Sequence, residues 1–390
     1  MIILLNWEDS SIQLSIHLKS AIGNKLIDKS KCKQDLINYY RIKQKPTTMQ
    51  LKQSLIIAII LGLISVTAWE VYWRSQDYYP TLNDEKALWA VKRTKVETAS
   101  KEDVIVVGSS RAYFDIQLDE WESITGKKPI QLASTGSSPL PIFHDIVNNS
   151  NFTGTVLIGI TPGLFFSTTY PGASPWSRPQ SKVDFYENRT YAQRINYQLS
   201  IPLQKNLVLM SADEEEWSDD IDLKSLLRRI KMGDRTGGPV QPPFYYFGDV
   251  NLDRNMRMTT KAASDTAFAN TIKKVWDFFG RGAPPPDKES TMTYFLEDLK
   301  KYKQKGGNVV LVRFPSSGGV RIGENMGLPR AEFWDELVKE ADVKAYHFED
   351  YESLKHLICP ENSHLSGQDA DFFTRELIKI MKADNAITNL

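Results

Sequence analysis

Short runs of β-branched and aliphatic residues, each followed by small or polar residues, recur along the chain after residue 100. Three of them lie at 104–107, 129–133 and 155–160. Runs of this length bounded by turn residues are typical of strands buried in a parallel sheet. Between them, amphipathic stretches over about 114–124 and 141–147 predict helices. Strands and helices that alternate at this spacing indicate βαβ units.

The same alternation resumes near the C-terminus. It predicts a helix, a strand, a helix, a short strand and a closing helix over 290–304, 308–313, 330–340, 345–348 and 367–381. We therefore predict an α/β fold, a three-layer α/β/α arrangement around a parallel sheet, in one domain over about 104–385.

The stretch over about 165–288 interrupts this pattern. It is rich in aromatic residues, proline and charge, and apolar positions at helical spacing predict helices over 223–231 and 260–279. A glycine- and proline-rich linker at 280–286 follows. We expect a helical insertion over the edge of the sheet and not a separate domain.

A long apolar run, Leu55–Ala68, predicts one N-terminal transmembrane helix over 54–74, because about 20 such residues cross a bilayer. Glu70 lies close enough to the end of this segment for its carboxylate to reach the interface. A cleaved signal peptide is the alternative, but no convincing small-x-small cleavage site follows. Basic residues precede the run and aromatic residues close it, at Arg41, Lys43, Lys45, Lys52, Trp69, Tyr72 and Trp73.

The positive-inside rule then predicts a single-pass protein with a cytoplasmic tail over 1–53, a stalk with a membrane-proximal helix over 75–103, and the main domain outside the cytoplasm. Residues 1–48 are polar and weakly periodic, so Met49 is an alternative start of translation, in which case residues 1–48 are not part of the natural protein. One anchor and an exported α/β domain suggest a bacterial inner membrane with the domain in the periplasm or outside the cell.

Net charge, cysteine count and the lack of known binding motifs exclude several classes of function. The formal net charge is zero, which argues against a nucleic-acid partner. Cys32 and Cys359 lie on opposite sides of the predicted membrane, so no disulfide is expected. No zinc-binding spacing, glycine-rich dinucleotide motif or P-loop is present, so we predict no metal and no cofactor.

Small and hydroxyl residues follow each of the first three predicted strands: Ser109 and Ser110, then Gly136, then Thr161. Ligands of open α/β sheets bind at the carboxyl ends of the strands, so these residues share the candidate edge. A serine there is either the cap of the next helix or a nucleophile.

His364 is the histidine with the clearest partner, because Glu361 stands three residues before it in a loop. A carboxylate there can accept the Nδ1 hydrogen and leave Nε2 free to take a proton from a serine. The alternative is an acidic motif at the start of a helix. A Cys359–His364 nucleophile pair is conceivable, although five residues in one loop give it poor geometry. We expect surface, structural or unpartnered roles for His144, His347 and His356.

Together these motifs resemble the SGNH or GDSL-like hydrolases. Gly108-Ser109-Ser110 looks like the nucleophile block of that family, with serine in place of the usual aspartate. Gly136 falls where the family has its oxyanion glycine, and 159–162 falls where it has Gly-x-Asn-Asp. Residues 361–366 look like its terminal Asp-x-x-His block. The resemblance covers about 104–164 and 290–381.

This resemblance implies an SGNH or flavodoxin-like sheet with Ser110 as nucleophile, His364 as base and Glu361 as its orienting partner. The backbone N–H groups of Ser110 and Gly136 would stabilise the oxyanion. Thr161 replaces the family's asparagine donor, and loss of one such donor can cost about 10²–10³ in rate. Glutamate in place of aspartate also lengthens the arm at 361 by one methylene.

Membrane-anchored domains of this kind imply an esterase or O-acyltransferase that acts on acyl esters of cell-envelope polysaccharides. The second reading is a catalytically inactive domain that binds glycan or a partner protein in an envelope complex. Two arginines near the candidate edge each have two possible roles. Arg111 can bind a substrate anion or pair with a carboxylate such as Asp115, and Arg313 can clamp a substrate or tie down its loop.

Overall fold

The computed structural model describes residues 48–75, 79–166, 173–210, 242–281 and 285–387. The chain divides into two compact units, residues 1–71 and 72–390. Each unit is described by itself.

Helix α1 (Thr48–Ser75) has 28 residues, about 42 Å of helix, and its residues up to Val71 are the described part of the first unit. Its leucine and isoleucine side chains are exposed. Within the described ranges it is the one helix long and apolar enough to cross a membrane, judged by length and composition. The predicted span over 54–74 lies inside it.

The second unit is built on a five-stranded parallel sheet with the order β2-β1-β3-β6-β7. This arrangement confirms the α/β prediction and its parallel sheet. A separate antiparallel hairpin, β4–β5, lies within the insertion. The strands are β1 (Val104–Val107), β2 (Ile130–Gln131), β3 (Thr155–Gly159), β4 (Gly248–Val250), β5 (Met256–Met258), β6 (Asn308–Arg313) and β7 (Lys344–His347).

Helices surround this sheet, and alternate residues of β1 enter two different apolar cores. Val104 and Val106 pack with the closing helix, whereas Ile105 and Val107 pack with helices that precede β1, β3 and β6. The helices are α2 (Lys86–Val96), α3 (Ser110–Asp115), α4 (Leu118–Thr125), α5 (Leu140–Asn149), α6 (Pro162–Phe165), α7 (Ser174–Asn188), α8 (Tyr191–Asn206), α9 (Thr260–Ser264), α10 (Thr266–Arg281), α11 (Lys288–Gln304), α12 (Gly318–Gly327), α13 (Glu336–Ala341) and α14 (Gly367–Ala383).

The predicted helix over 114–124 is wrong in its bounds, because two helices, α3 and α4, stand in its place. The break comes at Gln117, whose backbone N–H donates to the Thr374 hydroxyl at 2.9 Å. The next N–H, of Leu118, donates to Asn255 of the insertion at 2.7 Å. Side chains from other elements thus take the N–H groups that would otherwise continue the helix.

Strand β2 is shorter than the predicted 129–133. Arg254, which follows β4, donates to the carbonyl oxygens of Gln131 at 3.0 Å and Ala133 at 2.9 Å. Its guanidinium also forms an ion pair with Asp84. The insertion therefore occupies the acceptors at the end of this strand.

Further differences concern the insertion and one helix after it. The insertion contains the β4–β5 hairpin as well as helices, and the predicted helix over 260–279 is broken at Asp265 into α9 and α10. The predicted helix over 223–231 lies outside the described residues. Helix α12 was not predicted, since its four glycines disfavour a helix.

Candidate active site

The candidate site is assembled at the carboxyl ends of β1 and β3. Ser109 follows β1, and its hydroxyl is hydrogen-bonded to the hydroxyl of Thr161, which follows β3. Ser109 occupies the cap position of α3, but its side chain makes no capping hydrogen bond. Ser110 is the first residue of α3 and is half-buried. The two adjacent serines therefore have different surroundings.

Glycines at the strand ends let α3 approach the sheet closely. A Cβ on Gly159 would lie 2.6 Å from Ala112 Cβ, and a Cβ on Gly108 would lie 2.5 Å from the same atom. Both distances are far below van der Waals contact. Glycine at these two positions is therefore what allows α3 to pack this closely against the ends of β1 and β3.

Glu361 and His364 form a buried pair in the loop before α14. Their exposed fractions are 0% and 1%, and His364 Nδ1 lies 2.9 Å from Glu361 Oε1. The same oxygen accepts the backbone N–H groups of Ser363 and His364, whereas Oε2 accepts the indole N–H of Trp276 in α10. A carboxylate that accepts from Nδ1 selects the tautomer whose lone pair is on Nε2. The predicted Glu-x-x-His partnership is thus present, with a Trp276 hydrogen bond that sequence reasoning missed.

Three residues of α3 hold the loop that carries His364. Arg111 Nε lies 3.3 Å from Ser363 Oγ, and Asp115 Oδ1 accepts the N–H of Leu365 at 3.0 Å. Between these two contacts, the Phe114 ring packs on the His364 imidazole with ring centroids 4.6 Å apart. The Phe247 and Trp276 rings of the insertion also contact the imidazole, with ring centroids 5.6 and 5.8 Å from its own.

Ser110 lies one helical turn before Phe114, so the two side chains are neighbours on the surface of α3. His364 packs on Phe114, four residues after Ser110. Over the described part of the chain, the buried Nε2 of His364 has no hydrogen-bond partner. Three aromatic rings surround the imidazole, those of Phe114, Phe247 and Trp276.

Asp115 is a second buried acid beside this loop. Its Oδ2 has no hydrogen-bond partner among the described residues. Burial raises the pKa of Asp115 well above its ordinary value, and the Leu365 N–H and the Arg111 charge only partly oppose this. The carboxyl therefore favours its neutral form. Nothing in the sequence around it marks Asp115 as different from other acids.

Arg111 and Arg313 meet at Glu324 of α12. Arg111 Nη2 lies 2.7 Å from Glu324 Oε1, and Arg313 Nη2 lies 2.6 Å from Glu324 Oε2. Arg111 thus pairs with a carboxylate, one of its two predicted roles, but the partner is Glu324 of α12, a helix that the sequence did not predict, and not Asp115. Arg313 also donates to the carbonyl of Phe314, so it ties down its own loop.

Gly136 has a φ of +58°, a left-handed conformation that favours glycine. Its carbonyl accepts a hydrogen bond from Arg178 Nη1 at 3.1 Å, and a Cβ would lie 2.6 Å from that nitrogen. Arg178 belongs to α7 in the insertion, which brings a third cation to the carboxyl edge. Sequence reasoning missed it because nothing local links position 178 to position 136.

The other nucleophile and base candidates have different environments. Cys359 is buried, and burial raises the pKa of its thiol well above the ordinary value, which disfavours a thiolate nucleophile. His144 pairs with Asp298 at 2.8 Å, and His356 pairs with Glu352 at 2.9 Å on the surface. Burial and nearby arginines lower the pKa of His347 to about 2.

Among the described residues, no group of three or more histidine, cysteine, aspartate or glutamate side chains is arranged to hold a metal ion. Comparison of the chain with protein-family models and with curated proteins finds no match.

Proposed function

We propose that this chain is a membrane-anchored, SGNH-like serine esterase or O-acyltransferase. The observation that carries the proposal is the buried Glu361–His364 pair: its Nε2 has no hydrogen-bond partner among the described residues, and its ring packs on Phe114, four residues after Ser110 in α3. An imidazole oriented by a carboxylate beside a serine at a strand end is the arrangement that activates a hydroxyl for acyl transfer.

The reaction follows from these groups. Ser110 Oγ attacks the carbonyl carbon of an ester while its proton passes to His364 Nε2. The tetrahedral intermediate collapses when Nε2 returns that proton to the leaving alcohol oxygen, which breaks the carbon–oxygen bond and leaves an acyl-Ser110. Water or a sugar hydroxyl then attacks the acyl carbon, its proton passes through Nε2 back to Ser110, and the acyl group leaves as an acid or as a new ester.

We expect backbone N–H groups to stabilise the oxyanion. The first N–H groups of a helix have no acceptor within it, and Ser110 begins α3. Gly136 N–H is the second expected donor. The Thr161 hydroxyl is already bonded to Ser109, so we expect it to hold the first-strand turn in place rather than to replace the missing asparagine.

Partner and location follow from the anchor. Helix α1 is long and apolar enough to span a membrane. With basic residues before it, we infer a cytoplasmic N-terminus and a domain exposed to the cell envelope, where ester-linked acyl groups of polysaccharides are the substrate class.

One observation favours a second candidate, an inactive domain that binds glycan or a protein partner. His364 is 1% exposed and no hydrogen bond in the described chain joins its Nε2 to Ser110. Catalytic hydrogen bonds are often long before substrate binds, which is why the enzyme remains our first choice.

The test uses the full chain in detergent or nanodiscs with a fluorophosphonate probe and p-nitrophenyl acetate. We expect the wild type to be labelled, Ser110→Ala to lose labelling completely, and His364→Gln to lose about 10²–10⁴ in rate. Matched controls are Ser109→Ala, the neighbouring serine, and His144→Gln, a partly exposed histidine paired with Asp298.

Equal labelling of Ser110→Ala and wild type would refute Ser110 as nucleophile. A folded wild type that neither labels nor turns over either this ester or acetylated polysaccharide would favour the binding domain.

A further inference from the structure

Arg111, which follows Ser110, and Arg313 carry two positive charges against the single negative charge of the carboxylate that they share. Arg111 and Arg313 are 2% and 6% exposed, and both pair with Glu324. Glu324 Oε1 is occupied by Arg111, and Oε2 by Arg313 and the Ser316 hydroxyl at 2.8 Å. One carboxylate thus serves two buried guanidinium groups and has no oxygen left over.

Among the described residues, neither nearby acid is hydrogen-bonded to Arg111 Nη1. Asp115 favours its neutral form, as described above, and both oxygens of Glu361 are bonded to N–H groups of His364, Ser363 and Trp276. Burial opposes ionisation of Glu324, yet the charges of the two arginines outweigh it and lower the Glu324 pKa to about 2. Burial, together with the charge of Arg111, lowers the pKa of Arg313 to about 10.

A specific atom is left without a partner in this cluster. Arg111 Nη1 is buried and makes no hydrogen bond within the described residues. The Nε of the same group contacts Ser363, next to His364, and Arg111 itself follows Ser110 in the first turn of α3. A buried charged N–H without an acceptor is costly, and an anionic oxygen would satisfy both the hydrogen bond and the charge.

We infer that Arg111 Nη1 is the anion subsite of this site and that the substrate carries an oxyanion, a carboxylate or a phosphate, close to the ester that Ser110 attacks. This inference rests on the proposed function for its catalytic meaning, but the anion site can be measured without catalysis. The positive excess of the Arg111–Arg313–Glu324 cluster matches a single negative charge on the ligand.

The first experiment is calorimetric titration of the full chain in nanodiscs with acetate and, separately, with inorganic phosphate. We expect binding by the wild type, at least tenfold weaker binding by Arg111→Gln, and at least tenfold tighter binding by Glu324→Gln, which removes the competing carboxylate. The matched control is Arg330→Gln, an arginine paired with Asp350 at the surface, which should bind like the wild type. A preference for acetate identifies a carboxylate, and a preference for phosphate identifies a phosphate group.

The second experiment compares hydrolysis of p-nitrophenyl butyrate with that of the succinate hemiester, which carries a carboxylate on its acyl chain. If the wild type prefers the charged ester and Arg111→Gln loses that preference by tenfold or more in kcat/KM, the subsite selects the acyl group.

Two results would overturn the inference. If neither anion binds the folded wild type, Arg111 Nη1 is not an anion subsite and donates its hydrogen bond to water instead. If Arg111→Gln and Glu324→Gln both bind anions like the wild type, the bound anion lies elsewhere. Should Arg111→Gln fail to fold, Glu324→Gln still decides, because only a subsite in this cluster predicts tighter binding. Absence of all ester hydrolysis together with Arg111-dependent anion binding would refute the proposed function and leave the subsite standing.

Discussion

The hydrogen bond from Trp276 to Glu361 joins the insertion to the candidate catalytic pair, and its strength can be measured. Trp276→Phe removes the indole N–H that Glu361 Oε2 accepts and keeps an aromatic ring against His364. Glu361→Gln removes the charge and keeps the shape of the acceptor. The two variants and their combination form a double-mutant cycle on one bond.

The expected coupling follows from the difference between charged and neutral hydrogen bonds. A bond to an ionised group contributes about 1.5–3 kcal/mol to stability, and a neutral bond about 0.5–1.5 kcal/mol. Glu361 is fully buried, so solvent does not screen the interaction. The free energies of unfolding should therefore be non-additive by about 1–1.5 kcal/mol, because Trp276→Phe costs less once the acceptor is neutral.

The assay is urea unfolding of the four full-length proteins at pH 7.5, followed by far-UV circular dichroism. The matched control cycle pairs Trp89→Phe with Glu361→Gln. Trp89 also donates its indole N–H, but to the backbone carbonyl of Leu132 at 3.0 Å, away from Glu361. That cycle should be additive.

Additivity of Trp276→Phe and Glu361→Gln within about 0.3–0.5 kcal/mol would refute the reasoning, since independent sites behave in this way. The insertion would then cover His364 without stabilising its carboxylate.

Three further predictions concern stability. Burial raises the folded-state pKa of Asp115 above its unfolded value, so the wild type loses stability as the pH rises above about 3.9, the unfolded value. Asp115→Asn should therefore be more stable than the wild type at pH 7 and no more stable at pH 3.5. Urea unfolding midpoints at both pH values test this. Gly159→Ala places a Cβ 2.6 Å from Ala112 Cβ and should lower the free energy of unfolding by about 1–3 kcal/mol. Gly323→Ala, in open space on α12, should raise it by about 0.5–1 kcal/mol. Equal unfolding temperatures for the two variants would contradict the close approach of α3. Gly136→Ala introduces a Cβ at a φ of +58° against Arg178 and should cost about 1 kcal/mol or more, checked by the same unfolding measurement.

The parallel sheet was predictable because its strands carry their own signal. Val104–Val107 and Asn308–Arg313 are apolar runs bounded by turn residues, and both strands appear with nearly the predicted bounds. The pairing of Glu361 with His364 was equally accessible, since three residues in one loop keep the two side chains within reach of each other.

The rest of the site depends on contacts between distant parts of the chain, which local patterns do not report. Arg111 lies four residues from Asp115, a spacing that favours an ion pair, yet it pairs with Glu324 on a glycine-rich helix. The helix around 117 is broken by Asn255 and Thr374, far away in sequence. Trp276 and Phe247 sit in an insertion that lies outside the region of resemblance.

The pairing of β3 with β6 has a consequence for synthesis. Thr155 and Asn308 face each other in the sheet and are hydrogen-bonded through their side chains, although 153 residues separate them. At about 5–20 residues per second, a ribosome needs roughly 8–30 s to make the intervening chain. During that time one edge of β3 has no neighbour, and an unpaired apolar edge is a template for wrong pairing. The nascent protein is therefore most exposed to aggregation in the middle of its own translation, before the strand that completes the centre of the sheet exists.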